Sequence, residues 1–326
     1  MELTGAKVGL TSAGLRLTKD MLPLIIINPT SAGGATRAAW PAIASDLATH
    51  FGAFNCAFTR ERGDAVKLAE DGAREGRRLI VACGGDGTIS EVANGILRAG
   101  ADATLGILPS GTGGDFQKSL KIPARVADAA RLLREGATRR MDVGRASFIN
   151  HEGAEESRYF LGVASFGMSG DVIRRVKERD ASLLGGKATF ALATLQTTLA
   201  KENTTAFVQL DDKRERRLTV ANLCVANARY FGGGMKIAPE AKLNDGLFDI
   251  ITIGDLSALK ILTNAHQLYL GTHLGMRQVH HSHAARVTLR PTRKDERIAL
   301  ELDGELPGHL PASFEIMPRA LKIRCS

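Results

Sequence analysis

The stretch RLIVACGGDGTISEVANGIL, residues 78–97, constrains the fold of this 326-residue chain more than any other segment. Leu79, Ile80, Val81, Ala82 and Cys83 form an apolar run without polar alternation, as expected of a strand covered on both faces. Ile89, Val92, Ala93, Ile96 and Leu97 then recur at helical spacing, with Thr88 and Glu91 in capping-box register. A buried strand that turns through Gly-Gly-Asp-Gly-Thr into a helix belongs in a parallel sheet. The turn also puts an acid, Asp86, at a helix N-terminus that already favours an anion.

The same strand-then-helix grammar recurs on either side. Leu22–Ile27 reads as a strand ending in NPTSAGG, followed by a helix over 37–50 and a strand near 53–58. Asp64–Gly76 reads as a further helix, and LGILPSGTGGDFQKSL as a strand over 105–108, a second glycine loop and a helix. From Met141 the texture changes to short β-rich segments with turn signals: YFLGVASFG, TAFVQL, RLTVANLCVAN, GLFDIITIG, ARVTLRP, RIALELDGE and ASFEIM. Helical stretches interrupt them near 170–179 and over 256–270, the latter read as core. The expected division is therefore a tail over 1–20, an α/β domain over 21–140 and a β-domain over 141–326. Met21 is an alternative start, and the first twenty residues lack the apolar core of a cleaved signal.

In an open α/β sheet, ligands sit beyond the carboxyl ends of the strands, so both glycine loops should face one crevice. Neither loop has the lysine of G-x-x-x-x-G-K-[ST], and G-x-G-x-x-G is absent. An aspartate beside a polyphosphate is repulsive unless a Mg²⁺ lies between, since that cation takes carboxylate and phosphate oxygens together. Asp86 and Asp115 either serve such an ion or cap helices; the spacing alone leaves both open. The net charge of +8 suits an anionic partner, but aromatics are only 5% with Trp40 the single tryptophan, which argues against nucleic acid. Four scattered cysteines without C-x-x-C fit reduced thiols in a cytoplasmic protein.

GGDGTISEVANGIL and LPSGTGGDFQKSLKIP resemble the nucleotide loops of the diacylglycerol kinase catalytic-domain family, which also includes sphingosine, ceramide and bacterial lipid kinases. INPTSAGG, TRERGDAVKLAEDG, GVASFGMSGDV, YFGGGMKIAPEAKLNDGLFDIITI and LELDGELPG follow in family order, from about residue 22 onward. The resemblance implies a Rossmann-like parallel α/β nucleotide domain of the NAD kinase/phosphofructokinase type, plus a β-sandwich, with the active site between them. It implies ATP along Asn28, Pro29, Thr59, Gly84, Gly85, Asp86, Gly87, Thr88, Glu91, Ser110, Gly111 and Thr112. Mg²⁺ would sit on Asp86, Asp115 and Glu305. Asp303 would be the general base toward a lipid hydroxyl, with Glu305 beside it on one side of a strand end. A structural Mg²⁺ would take Asp245 and the carbonyls of Lys242 and Leu247; an ordinary turn is the alternative there.

Diacylglycerol is the first substrate implied, with ceramide, a sphingoid base or phosphatidylglycerol behind it. An NAD kinase-like soluble kinase and a non-catalytic nucleotide-binding regulator are the alternatives. The regulator rests on Gly114, which stands where the family commonly has Asn. The basic segment VIRRVKERD could rest on an anionic membrane surface, making the protein peripheral; a homodimer stays open. His280, His281 and His283 read as a solvated loop without an adjacent carboxylate.

Overall fold

The computed structural model describes residues 22–110, 114–170, 173, 203–254, 256 and 258–325. Two compact units emerge, one holding the described residues up to Met141 and those from Ala320 on, the other Asp142–Arg319.

In the first unit β1 (Leu24–Ile27), β2 (Asn55–Phe58), β3 (Leu79–Gly84) and β4 (Thr104–Pro109) pair in parallel in the order β2-β1-β3-β4. Four consecutive apolar residues in β1 and the run in β3 are buried on both faces, which is why neither alternates. Helices α1 (Ala35–His50) and α5 (Val126–Glu135) pack on each other, as do α2 (Asp64–Arg74) and α3 (Asp86–Ala99). A short helix α4 (Asp115–Ser119) follows the second glycine loop. Strand order reverses between β1 and β3, so the loops leaving these strands flank the switch point where such sheets take ligands.

The second unit is antiparallel. One sheet runs β12 (Val279–Ala284), β11 (Phe248–Ile253), β10 (Asn222–Ala226), β7 (Val163–Gly167), β14 (Ala299–Leu302) and β15 (Glu305–Cys325). The long β15 also pairs with β5 (Ala137–Asn150) and β13 (Arg286–Pro291), which carry β6 (Glu155–Phe160), β8 (Thr204–Leu210) and β9 (Arg216–Val220) outward. Phe148, Phe160, Phe166, Phe248 and Phe314 are fully buried in the core drawn from both strand sets. Cys224, Ala226, Ile251 and Val279 instead face Ile237, Ala238 and Ala241 on the first sheet's other side. Covered on both faces, β10 is buried at every residue.

Three differences from the sequence reading have physical causes. The end of β15 leaves the β-unit: Lys322 and Ile323 pair in parallel with Thr104 and Leu105 of β4, because the α/β sheet otherwise has an open edge there. His280, His281 and His283 lie on β12, a paired strand and not a loop, because Val279 and Ala284 bury at its two ends while the polar residues between them stay out. Helix α6 (Ala258–Leu270) departs from the core reading only where its side chains are described: none of those is buried and Tyr269 and Leu270 are exposed, although Leu268 leans on the outer cluster and Leu256 before the helix is buried; Leu259 and Leu262 lie outside the described side chains. The segments 1–20 and VIRRVKERD, apart from Ile173, lie outside the described residues.

Candidate active site

The loops after β1, β3 and β4 are tied to one another by short polar side chains. Asn28 Nδ2 donates to Thr88 Oγ1 at 3.1 Å, while Asn28 Oδ1 accepts from Thr30 N at 3.0 Å and Thr30 Oγ1 at 2.7 Å. The Thr36 and Ser110 hydroxyls lie 2.6 Å apart, and Ser110 N donates to Gly84 O at 3.1 Å. Pro29 is buried behind the first turn. Gly84 is required by close approach, since a Cβ there would meet Thr88 Oγ1 at 2.5 Å. Thr59 N donates to Ile27 O at 2.9 Å, which holds the end of β2 beside these loops.

Asp86 answers the question its position raises. Its Oδ2 accepts from Asp115 N at 3.1 Å and its Oδ1 from Phe116 N at 3.0 Å. The carboxylate therefore caps α4 from the first turn of α3, locking one glycine loop onto the other. The capping box expected from Thr88 and Glu91 does not form. Gly85 is the N-cap of α3, so Thr88 already lies inside the helix and its hydroxyl takes the Asn28 amide. Glu91 Oε1 reaches Gly63 N at 3.1 Å, at the start of α2. Asp115 Oδ1 lies 3.6 Å from the Lys118 ammonium. A Cβ at Gly87 would meet nothing within 4 Å, so the α3 terminus is open there. Gly111 and Thr112 lie outside the described residues. Gly114 is left-handed, at φ 64°, a conformation that Gly and Asn tolerate best. The departure from the family's Asn thus keeps the backbone and loses only the amide.

In the second unit, Asp303 and Gly304 form the two-residue turn between β14 and β15, both at positive φ (48° and 85°), as in a type I′ hairpin. Asp303 does not dangle in solvent. Its Oδ2 accepts from Leu161 N at 2.9 Å, and its Oδ1 from Gly162 N at 2.8 Å and Val163 N at 3.1 Å. Because Asp303 lies in the left-handed turn and not in the strand, strand alternation does not by itself relate it to Glu305. Glu305 Oε2 lies 3.6 Å from Arg158 Nη1.

Glu301, two residues before the turn, was missed from sequence. It is 2% exposed, and its Oε1 accepts from Gly304 N at 2.7 Å while Oε2 accepts a short hydrogen bond from Ser165 Oγ. Ser165 Oγ meets Ser169 Oγ at 2.6 Å, and Ser169 donates to Asn222 Oδ1, so a buried polar chain runs behind the turn. Burial pushes the Glu301 carboxyl up to about 7. The available signal was a glutamate flanked by Leu300 and Leu302; only strand pairing sets it opposite Ser165.

The KLNDGLFD turn is held by Asp142, which is wholly buried. Its Oδ2 accepts from Gly246 N and its Oδ1 from Arg319 N, both at 2.7 Å. Asp245 is exposed and accepts from Leu247 N at 3.3 Å, the local closure of an Asx turn. Lys242 is exposed and Leu247 half-buried on either side of it. All four cysteines are free, and no helix among the described residues is long and apolar enough to cross a membrane.

Comparison with known proteins bears on the family and the fold. The diacylglycerol kinase catalytic domain matches residues 23–146, and the YegS C-terminal NAD kinase beta sandwich-like domain matches residues 162–325. The chain is 29% identical to the diacylglycerol kinase of Bacillus subtilis (strain 168), over 80% of this chain and 82% of that protein. It is 31% identical to a protein of Pseudomonas aeruginosa (strain UCBPP-PA14) named "Probable lipid kinase YegS-like", over 81% and 82%. A solved structure from Bacillus anthracis (strain Sterne), described as a diacylglycerol kinase, superposes with a TM-score of 0.67 at 23% identity, covering 94% of this chain and 97% of that one; it speaks to the fold alone. With its two halves matched in order by these two domains, the chain belongs to the family of diacylglycerol kinases and YegS-like lipid kinases, phosphotransferases with an alcohol acceptor.

Proposed function

We propose that this protein transfers the γ-phosphoryl group of Mg²⁺-bound ATP to the primary hydroxyl of a membrane lipid, diacylglycerol first. The observation that carries the reading is the set of cross-tied loops after β1, β3 and β4 at the switch point, with Asp86 locking the two glycine loops together. Backbone N–H groups of these loops and the α3 terminus would bind phosphate oxygens, as helix N-termini do. Asn28, Thr88, Ser110 and Glu91 would hold the loops in shape, while Thr59 lies beside them.

Asp86 and Asp115 fit a hard cation: they offer carboxylate oxygens, and each Asp86 oxygen has an acceptor direction beyond the one its backbone donor takes. Bound Mg²⁺ would offset charge on the transferring phosphoryl group. Asp303, oriented by three backbone donors, would accept the lipid hydroxyl proton, with Glu305 and Arg158 as positioning groups. A second Mg²⁺ would take Asp245 with the Lys242 and Leu247 carbonyls, a role for which the exposed turn supplies suitable oxygen donors.

The protein would work as a peripheral enzyme on an anionic surface, drawn there by its net charge of +8 and the basic segment 172–180. Vesicle sedimentation that does not weaken with salt would refute that part. A labelled-ATP assay against a lipid panel tests the main reading. The regulator alternative rests on the amide that Gly114 lacks, and the same assay decides it: ATP bound without any labelled lipid would favour it.

A further inference from the structure

Asp249, His281 and His283 take no part in the loops or the acid turn described above. Asp249 lies on β11 and the two histidines on β12, the last strand in its sheet's order. Asp249 and His283 are direct cross-strand partners, and His281 is two residues along the same face, so the pleat brings all three together. Asp249 is 2% exposed, whereas the His283 side chain is half-exposed, so the trio opens to solvent from one side. No carboxylate adjoins these histidines in sequence; the partner acid is 32 residues upstream of His281 and only strand pairing reveals it.

The distances decide what the trio can hold. His281 Nε2 is 2.7 Å from Asp249 Oδ1, His283 Nε2 is 3.6 Å from the same oxygen, and the three donor atoms lie within 4.8 Å of one another. A tetrahedral ion bound at about 2.0–2.1 Å separates its ligand atoms by roughly 3.3–3.4 Å. The His283–Asp249 spacing of 3.6 Å must close by about 0.2–0.3 Å and the His281 contact of 2.7 Å must open by about 0.6 Å, both within reach of ring rotations. His281 hydrogen-bonds the buried acid, while His283 lies beyond hydrogen-bond reach at ion-pair distance and so brings a second imidazole nitrogen to the same oxygen. Beyond the His281 ring, the exposed Glu240 carboxylate lies 3.9 Å from Nδ1, too far for a hydrogen bond as it stands.

We propose that Asp249, His281 and His283 bind a divalent transition-metal ion of the zinc type, which staples the end strand β12 to β11. Two imidazoles and one carboxylate suit Zn²⁺ or Co²⁺ and disfavour Mg²⁺, so the site is separate in chemistry from the oxygen-only turn at Asp245.

The test is a Co²⁺ titration of the metal-stripped full chain in a Cys56→Ser background, which removes the one exposed thiol. Tetrahedral Co²⁺ is read by its visible absorption, and Zn²⁺ is then used to displace it. One ion per chain is expected, bleached by Zn²⁺ but not by excess Mg²⁺. His283→Gln, at a half-exposed position, should fold as the parent does and bind at least about tenfold more weakly. A parent that takes up no Co²⁺, or takes it up equally in His283→Gln and His281→Gln, would show a polar cluster without a metal and overturn the proposal.

Discussion

Replacing Glu301 with glutamine should change how stability depends on pH, in a direction fixed by burial. The carboxyl rises from 4.5 in the unfolded chain to about 7 in the fold, because removal from water disfavours its charged form. Its folded value is raised, so its protonated form is favoured by folding. That contribution is complete below pH 4.5 and is lost as pH climbs through about 7. A rise of about 2.5 units at 1.36 kcal/mol each gives about 3 kcal/mol as the full swing. The glutamine side chain of the variant would stay neutral throughout, with its carbonyl accepting from Gly304 N and its amide facing Ser165. Urea midpoints at a series of pH values from 4.5 to 8 supply the curves, with the slope m checked for constancy. His273, whose ring burial holds below its usual value, titrates in both proteins and cancels in the difference. The parent should lose up to about 3 kcal/mol relative to Glu301→Gln as pH rises. Parallel curves, or a parent that gains on the variant, would refute the argument from burial.

Asp86→Ala removes both acceptors at the start of α4 and should cost about 1–2 kcal/mol in stability while raising KM for ATP; unchanged melting and kinetics would end its locking role. Gly114→Asn should be tolerated within about 1 kcal/mol, whereas Gly114→Val should cost about 1–2 kcal/mol or more at φ 64°; equal melting temperatures for the two variants would contradict the left-handed assignment. If Asp245 holds a structural Mg²⁺, added Mg²⁺ should raise the melting temperature of the parent and not of Asp245→Ala; equal responses would leave only an Asx turn.

The α/β half was readable because its signals are local. β1, β2, β3, β4 and the helices after them begin and end within a few residues of their expected places, since apolar runs and glycine turns act over short range. What escaped depends on pairing between distant segments. Asp86 caps a helix 29 residues on, Asp303 grips backbone 140 residues back, and Glu301 is buried because Ser165 lies opposite it. The histidines of β12 looked solvated because polar residues dominate that segment; β11 supplies both its pairing and the acid. Helix α5 went unremarked, although Ala129, Ala130 and Leu133 bury one face of it. β15 deceived by length: one strand of 21 residues serves two units, and nothing in its composition marks where it passes from one to the other.

The most direct test of the account is phosphoryl transfer itself. Full-length protein is incubated with γ-phosphate-labelled ATP, Mg²⁺ and vesicles containing diacylglycerol, ceramide or phosphatidylglycerol, and the lipid products are identified by mass. The account predicts labelled product from diacylglycerol. It further predicts that Asp303→Asn, which leaves at least one of the Leu161, Gly162 and Val163 N–H groups without an acceptor and so melts lower than the parent, loses about 10²–10⁴-fold in kcat when assayed well below its melting temperature, with little change in KM for ATP. Tight ATP binding with no labelled lipid from any vesicle, or an Asp303→Asn enzyme with near-parental kcat, would contradict it.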